Sequence, residues 1–330
     1  IYDRYNLQSD TLPVLPKNPL KWIEYARSMV DNKPRDFIAC PMWLPIYLDN
    51  MGFIFILAAR QVYKSTYCTD LLTCKATTNK GIQVGYITHS GISLTTWSTQ
   101  RLRVGTFLTN PILSQFPRRG IGSVGEVSLL NNSTIYCATD HNMYKNIEGK
   151  SLSLCVLDEA QYHDIVHLPK VRETMTATKG NLQVLGIGGE AGSPYERLWL
   201  ETDQREWIYD NPFWRDKLQF DENGLVKGEY MDALLKGSWV PQKPDNYLKH
   251  GYWMPQTIFA EIPLTIDDAI NKYHVDPEYS IEWKRKNYPS SIFLMHVMGQ
   301  FYKAMRRPVT REMVLACMTP YRYAKLLTVE

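Results

Sequence analysis

Apolar positions along the chain fall into short unbroken runs separated by stretches of helical spacing. Phe53–Ala59 (FIFILAA) is apolar throughout, which predicts a strand covered on both faces. Gln83–Thr88, Leu152–Leu157 and Leu182–Gly188 read as further strands. Glu126–Leu130 and Thr134–Ala138 flank the turn-forming triplet Asn131-Asn132-Ser133, so a hairpin is expected there. Apolar residues at helical spacing predict a helix over Lys21–Val30. Helices are also expected near 65–77, 91–104, 165–179 and 194–206. Strands alternating with helices in this way predict an α/β fold, a mainly parallel sheet flanked by helices.

Elsewhere the pattern is different. Residues 1–20 are polar and carry Pro13, Pro16 and Pro19, which predicts an extended N-terminal arm. From Asp210 to Pro255 the chain is rich in Trp, Tyr, Pro and Gly and has no clear period. Helices resume beyond it. Thr265 followed by Asp268 has the spacing of a helix N-cap with a carboxylate in the first turn. Ser290–Met305 and Thr310–Met318 read as amphipathic helices. The expected organisation is one domain over 1–215 and a mostly helical or irregular linker or lid subdomain over 216–330.

Composition narrows the picture. The 330 residues are 44% hydrophobic and 22% charged, which excludes a disordered or low-complexity chain. A net charge of +3 is too mild for a protein that coats nucleic acid, so any such contact rests on local patches. The six cysteines include no C-x2-C pair, and Cys155 sits in an apolar run, so they read as buried free thiols of a reducing compartment. The longest apolar run, Phe53–Ala59, is far shorter than the roughly 20 residues that span a bilayer. No secretory pattern precedes it, and neither secretion nor membrane insertion is expected.

Two motifs carry chemistry. The first is Ala58-Ala59-Arg60-Gln61-Val62-Tyr63-Lys64-Ser65-Thr66, directly after an apolar strand. A strand, a tight loop and Lys-Ser opening a helix is the layout of a phosphate-binding P-loop. Its amides hold phosphate, its lysine neutralises it, and its hydroxyl serves Mg²⁺. The consensus glycines are missing, with Ala58 and Tyr63 in their places. The second motif is Leu152–Leu157 ending in Asp158-Glu159-Ala160-Gln161, the Walker B pattern. There Asp158 stands beside the metal and Glu159 deprotonates the attacking water. Each motif alone also fits a plain helix start or an acidic turn. Their joint occurrence, in this order and each closing an apolar strand, points to a nucleotide hydrolase. The strand at 83–88 between them suits the subclass of P-loop proteins that uses a catalytic glutamate.

These residues give the chain a family likeness: it resembles the ATPase portion of the large subunit of phage DNA-packaging terminases. Arg60-Gln61-x-x-Lys64-Ser65-Thr66 is similar to that family's deviant Walker A, and Asp158-Glu159-Ala160-Gln161 to its Walker B. Gly186 to Ser193, Tyr195 to Trp199 and Asp203-Gln204-Arg205 resemble its coupling segment. Gly251 to Gln256, Phe293 to Tyr302 and Arg307 to Thr310 resemble the stretch leading to a nuclease domain. The resemblance implies a P-loop NTPase fold, with Arg60, Gln61, Val62, Tyr63, Lys64, Ser65 and Thr66 around ATP. It places Mg²⁺ between Ser65 and Asp158, and Glu159 as the catalytic base. It implies a motor on double-stranded DNA, assembled as a homo-oligomeric ring on a portal protein at the procapsid vertex in the host cytoplasm. A small terminase subunit would present the DNA. No nuclease activity is expected from this stretch of sequence.

Four departures from the family pattern bear on function. A bulky Tyr63 at a backbone position that favours glycine implies either another loop shape or reduced nucleotide affinity. Glu148-Gly149-Lys150 replaces the Arg-Gly that often precedes Walker B. No glutamine stands near Trp43 to contact adenine. Gly188-Gly189 replaces the Ser/Thr-x-Pro that usually opens the coupling segment, so Ser193 is the hydroxyl chosen for γ-phosphate sensing.

Among the basic clusters, Arg101 and Arg103 are the residues chosen as DNA contacts or as an arginine finger supplied to a neighbouring subunit. His163 and His167 would share a helix face, but with no third ligand they read as a surface pair. The rival functions are a helicase or remodelling ATPase of the same class, and a non-hydrolysing DNA-binding protein with a degenerate P-loop.

Overall fold

The computed structural model describes residues 12–26, 29–30, 33–34, 37, 40–118, 123–140, 147–209, 219–220, 226–227 and 237–303. Among the described residues nine strands share one sheet. They are β1 (Phe53–Ala58), β2 (Gln83–Thr88), β3 (Glu126–Ser128), β4 (Thr134–Thr139), β5 (Leu152–Leu157), β6 (Asn181–Gly186), β7 (Arg205–Tyr209), β8 (Gly237–Pro241) and β9 (His250–Met254). Their order is β8-β7-β9-β1-β6-β5-β2-β4-β3. Only the outer strands β3 and β8 run antiparallel to their neighbours. This is the expected α/β architecture, and β6 lies between the two motif-bearing strands β1 and β5.

All six residues of β1 are buried, which explains its unbroken apolar run. Ile54, Ile56 and Ala58 join one core with Cys68 and Leu72 of α3 (Lys64–Thr78) and Trp22 of α1 (Pro19–Ala26). Phe53, Phe55 and Leu57 join a second core with Leu168 of α5 (Leu168–Glu173) and Trp199 of α6 (Pro194–Leu200). Period-2 alternation thus sends successive side chains into opposite layers. The first layer also holds α2 (Trp43–Leu48) and α4 (Gly91–Thr95), which runs on as a π-helix, Thr96–Leu108. Five free cysteines are buried, and Cys317 lies outside the described residues. No helix of the described residues is long and apolar enough to cross a membrane.

Several element boundaries differ from expectation. The helix expected over 21–30 ends at Ala26, and Met29–Val30 pairs instead with Lys33–Pro34. The helix expected over 165–179 is a 3₁₀ turn at Ile165–His167 followed by α5, which stops at Glu173. Thr174 and Thr178 hydrogen-bond back to the carbonyls of Val171 and Met175, and such hydroxyls favour turns over continued helix. The helix expected over 194–206 stops at Leu200. Thr202 Oγ1 donates to the Trp199 carbonyl, Gln204 takes φ +50°, and the chain enters β7. The helix begun at Ser290 stops at Val297, before Gly299 at φ +59°.

The hairpin of β3 and β4 forms as read, and so does the Thr265/Asp268 capping box. Leu15 of the expected arm is buried in the first core, and residues 1–11 lie outside the described residues. The helix expected at 310–318 and the boundary near 215 also lie outside them. Strands β8 and β9, from the stretch read as irregular, were not expected. β9 pairs in parallel with β1, so sequence from both sides of 215 contributes to the sheet.

Candidate active site

The loop between β1 and α3 makes a left-handed turn just before Lys64. Gln61 and Tyr63 both sit at positive φ, 58° and 66°, so the left-handed turn before Lys64 forms without glycine. For a non-glycine residue this conformation costs about 1–2 kcal/mol. The Tyr63 ring packs on Phe259, and its hydroxyl hydrogen-bonds Glu261. Other anchors hold the loop from outside. Trp43 Nε1 donates to the Val62 carbonyl at 3.1 Å, and Gln256 Nε2 to the Arg60 carbonyl at 3.0 Å. The Arg60 amide donates to the His296 carbonyl at 2.7 Å. Lys64 Nζ folds back onto the Ala59 carbonyl. Burial lowers its pKa to about 8, with Asp158 opposing that shift.

Asp158 leaves the C-terminal end of β5, one strand beyond β6 from the loop. It is buried, and its two carboxylate oxygens accept from Tyr86 Oη (2.8 Å) and from the Glu159 amide (2.9 Å). Burial raises its pKa, opposed by the Tyr86 hydrogen bond and by Lys64. Glu159 follows at φ +56°. That turn aims its carboxylate at the end of β2, where Oε2 meets His89 Nδ1 (2.7 Å), Ser93 Oγ (3.2 Å) and Thr88 Oγ1 (3.4 Å). A loop that ends in a lysine, a buried aspartate and a partly exposed glutamate thus lie at the C-terminal ends of the parallel strands, where α/β folds bind their ligands.

No family model matches the sequence, and no curated protein is significantly similar to it. Solved structures do resemble the fold. The ATPase domain of the Thermus phage P74-26 large terminase aligns at TM-score 0.51 and 12% identity, over 84% of this chain and 99% of that one. A single-residue mutant of the same domain aligns at TM-score 0.50 and 11% identity, over 84% and 100%. The chain has the fold of a phage large terminase ATPase domain.

On this terminase fold the remaining sequence-chosen residues have distinct surroundings. Ser193 caps α6, its Oγ accepting from the Glu196 amide at 3.2 Å. Arg103 turns inward: its guanidinium donates to the carbonyls of Ser123 and, at 3.1 Å, Glu126. Arg101, two residues earlier on the π-helix, is exposed. Lys150 stands over the Tyr136 ring, 4.7 Å from its centroid.

The expectation of a surface pair at His163 and His167 is corrected. The two lie in separate short turns, and His163 is buried behind Asp158. Its Nε2 carries the proton, because it donates to the Asp158 carbonyl at 2.9 Å, and a carbonyl only accepts. Burial lowers the His163 pKa, with Asp140 opposing. No cluster of three metal-binding His, Cys, Asp or Glu side chains occurs among the described residues.

Sequence reasoning missed His89 and Tyr86, and it read 296–302 only as part of the stretch toward a nuclease domain, not as chain packed against the loop. That last segment runs between the loop and the chain that follows β6. Tyr302 pairs with Gly189 and Ala191, and a Cβ on Gly188 would lie 1.8 Å from the Gln300 carbonyl oxygen.

Proposed function

We propose that the chain is an ATP-hydrolysing motor that translocates double-stranded DNA into a viral procapsid. The carrying observation is that Lys64, Asp158 and Glu159 gather at the C-terminal ends of β1 and β5 on a terminase ATPase fold. The residues fit Mg²⁺ and ATP. The Ser65 hydroxyl and the Asp158 carboxylate are hard oxygen donors of the kind Mg²⁺ takes. The Lys64 ammonium, resting on the loop's own Ala59 carbonyl, can turn to a phosphate oxygen instead.

In this mechanism the residues Arg60 to Thr66 wrap the phosphates, and the N-terminus of the 15-residue α3 faces them. Lys64 neutralises their charge. Ser65 and Asp158 would hold Mg²⁺, which would supply positive charge against the phosphates. Glu159 orients the attacking water and takes its proton. Ser193 stands in the segment that would respond to the γ-phosphate. Arg101, being exposed, is preferred over Arg103 as the arginine offered to a neighbouring subunit or to DNA. The motor would work as a ring on the portal, in the host cytoplasm, on DNA presented by a small terminase subunit.

ATP hydrolysis by the purified chain, with and without linear duplex DNA, tests this. Hydrolysis stimulated by duplex DNA supports the motor. Binding of DNA without any hydrolysis supports a non-hydrolysing protein instead, and stimulation by forked DNA alone supports a helicase.

A further inference from the structure

Asp158 and Ser65 are joined by a second route besides the sheet, and the three side chains that form it are buried. The Tyr86 hydroxyl donates to Asp158 Oδ2 at 2.8 Å. The Tyr86 ring stacks on the Trp97 indole, with centroids 3.6 Å apart and planes 7° from parallel. Trp97 Nε1 donates to Thr69 Oγ1 at 3.1 Å, and Thr69 Oγ1 donates to the Ser65 carbonyl at 2.7 Å. Tyr86, Trp97 and Thr69 are 2%, 3% and 5% exposed.

The direction of every bond is fixed. A carboxylate and a carbonyl only accept, and an indole N–H only donates, so the Thr69 hydroxyl has to accept from Trp97 and donate to Ser65. We infer that Tyr86, Trp97 and Thr69 form a rigid spacer that sets the separation of Ser65 and Asp158 and thereby selects Mg²⁺ over larger cations. The inference rests on the proposed role of Ser65 and Asp158 as the metal's protein ligands.

Physical reasons favour a dedicated spacer. Ser65 rides on α3, and Asp158 follows β5, with β6 between β5 and β1. No backbone ladder therefore connects the two ligands directly. Mg²⁺ demands near-ideal octahedral geometry at roughly 2.0–2.1 Å, whereas Ca²⁺ accepts longer and more varied contacts. Loosening the spacer should harm Mg²⁺ binding more than Ca²⁺ binding. Groups that orient metal ligands typically carry 10–100-fold in metal affinity.

The test uses the full chain with a non-hydrolysable ATP analogue, titrated with Mg²⁺ or Ca²⁺ by calorimetry. Tyr86→Phe removes one hydroxyl and keeps the stack. Thr69→Val removes both of that residue's bonds at nearly constant volume, and Thr69→Ser keeps them. Thermal melts confirm that each variant is folded at the assay temperature. Tyr86→Phe and Thr69→Val are expected to weaken Mg²⁺ about tenfold and Ca²⁺ less than about threefold, with analogue affinity in EDTA unchanged. Thr69→Ser should match the parent. Mg²⁺ affinity within about twofold of the parent in both variants, while Asp158→Asn weakens it, overturns the spacer. If Asp158→Asn also leaves Mg²⁺ affinity unchanged, the metal assignment itself is wrong and the spacer falls with it.

Discussion

His89 Nδ1 lies 2.7 Å from Glu159 Oε2, so an imidazole stands against the proposed catalytic base at the end of β2, beside the Thr88 and Ser93 hydroxyls that donate to the same oxygen. Both partners of the pair are partly exposed, and such a contact contributes about 0.2–1 kcal/mol. His89→Ala removes it and leaves the two hydroxyl contacts. Basal ATP turnover is expected to rise, by up to about fivefold, with KM unchanged. Steady-state kinetics checks this. A fall in turnover would make His89 a support of the productive geometry rather than a restraint.

Tyr63 occupies a backbone conformation suited to glycine, yet the loop keeps its turn. That conformation costs a non-glycine residue about 1–2 kcal/mol. Tyr63→Gly should shift the unfolding midpoint, since it relieves that strain and also loses the Phe259 and Glu261 contacts. Nucleotide affinity should stay within about threefold of the parent. Denaturation and nucleotide titration on the same variant separate the two effects.

Lys64 titrates near pH 8 in the folded chain because it is buried, against 10.5 for an ordinary lysine. Between those values the unfolded chain holds the extra proton, so the nucleotide-free protein gains stability as pH rises through this window. Nucleotide affinity runs the other way, because the ammonium is lost. Affinity at pH 9 should be several-fold weaker than at pH 7, up to about tenfold for the one unit past the pKa. Lys64→Ala should bind poorly at both pH values and show no such slope.

Burial pushes the thiols of Cys74, Cys137 and Cys155 up to about 12. Thiolate is the reactive form, so these three should resist alkylation in the native protein at pH 8 and react on unfolding. Mass-spectrometric mapping of iodoacetamide labelling before and after denaturation checks it.

The sequence exposes those parts of the fold whose burial is two-sided or whose turn chemistry is local. β1 and β5 are readable from apolar runs, and the β3–β4 hairpin from Asn131-Asn132-Ser133. β9 was hidden because His250-Gly-Tyr-Trp-Met254 is short and aromatic, and its place beside β1 is a long-range pairing. Helix ends at Glu173 and Leu200 were overrun because threonine hydroxyls bonding back to the backbone decide them. Within the site, Lys64, Asp158 and Glu159 stand in recognisable motifs. His89 and Tyr86 do not, since parallel pairing of β2 with β5 is what brings them to the carboxylates of Asp158 and Glu159. The π-helix that carries Trp97 buries Trp97, Leu102 and Phe107 at five-residue spacing, wider than the 3.6-residue period that marks an ordinary helix.

The central claim is that Glu159 is the base that activates water while Asp158 serves the metal. Glu159→Gln and Asp158→Asn, compared for Mg²⁺-dependent nucleotide binding and for hydrolysis in single turnover, test it most directly. Glu159→Gln should bind at near-parental affinity and lose about 10²–10⁴-fold in hydrolysis, roughly 3–5 kcal/mol in the barrier. Asp158→Asn should bind Mg²⁺-nucleotide more weakly. Hydrolysis by Glu159→Gln at the parental rate would contradict the account and leave Glu159 a turn residue beside His89.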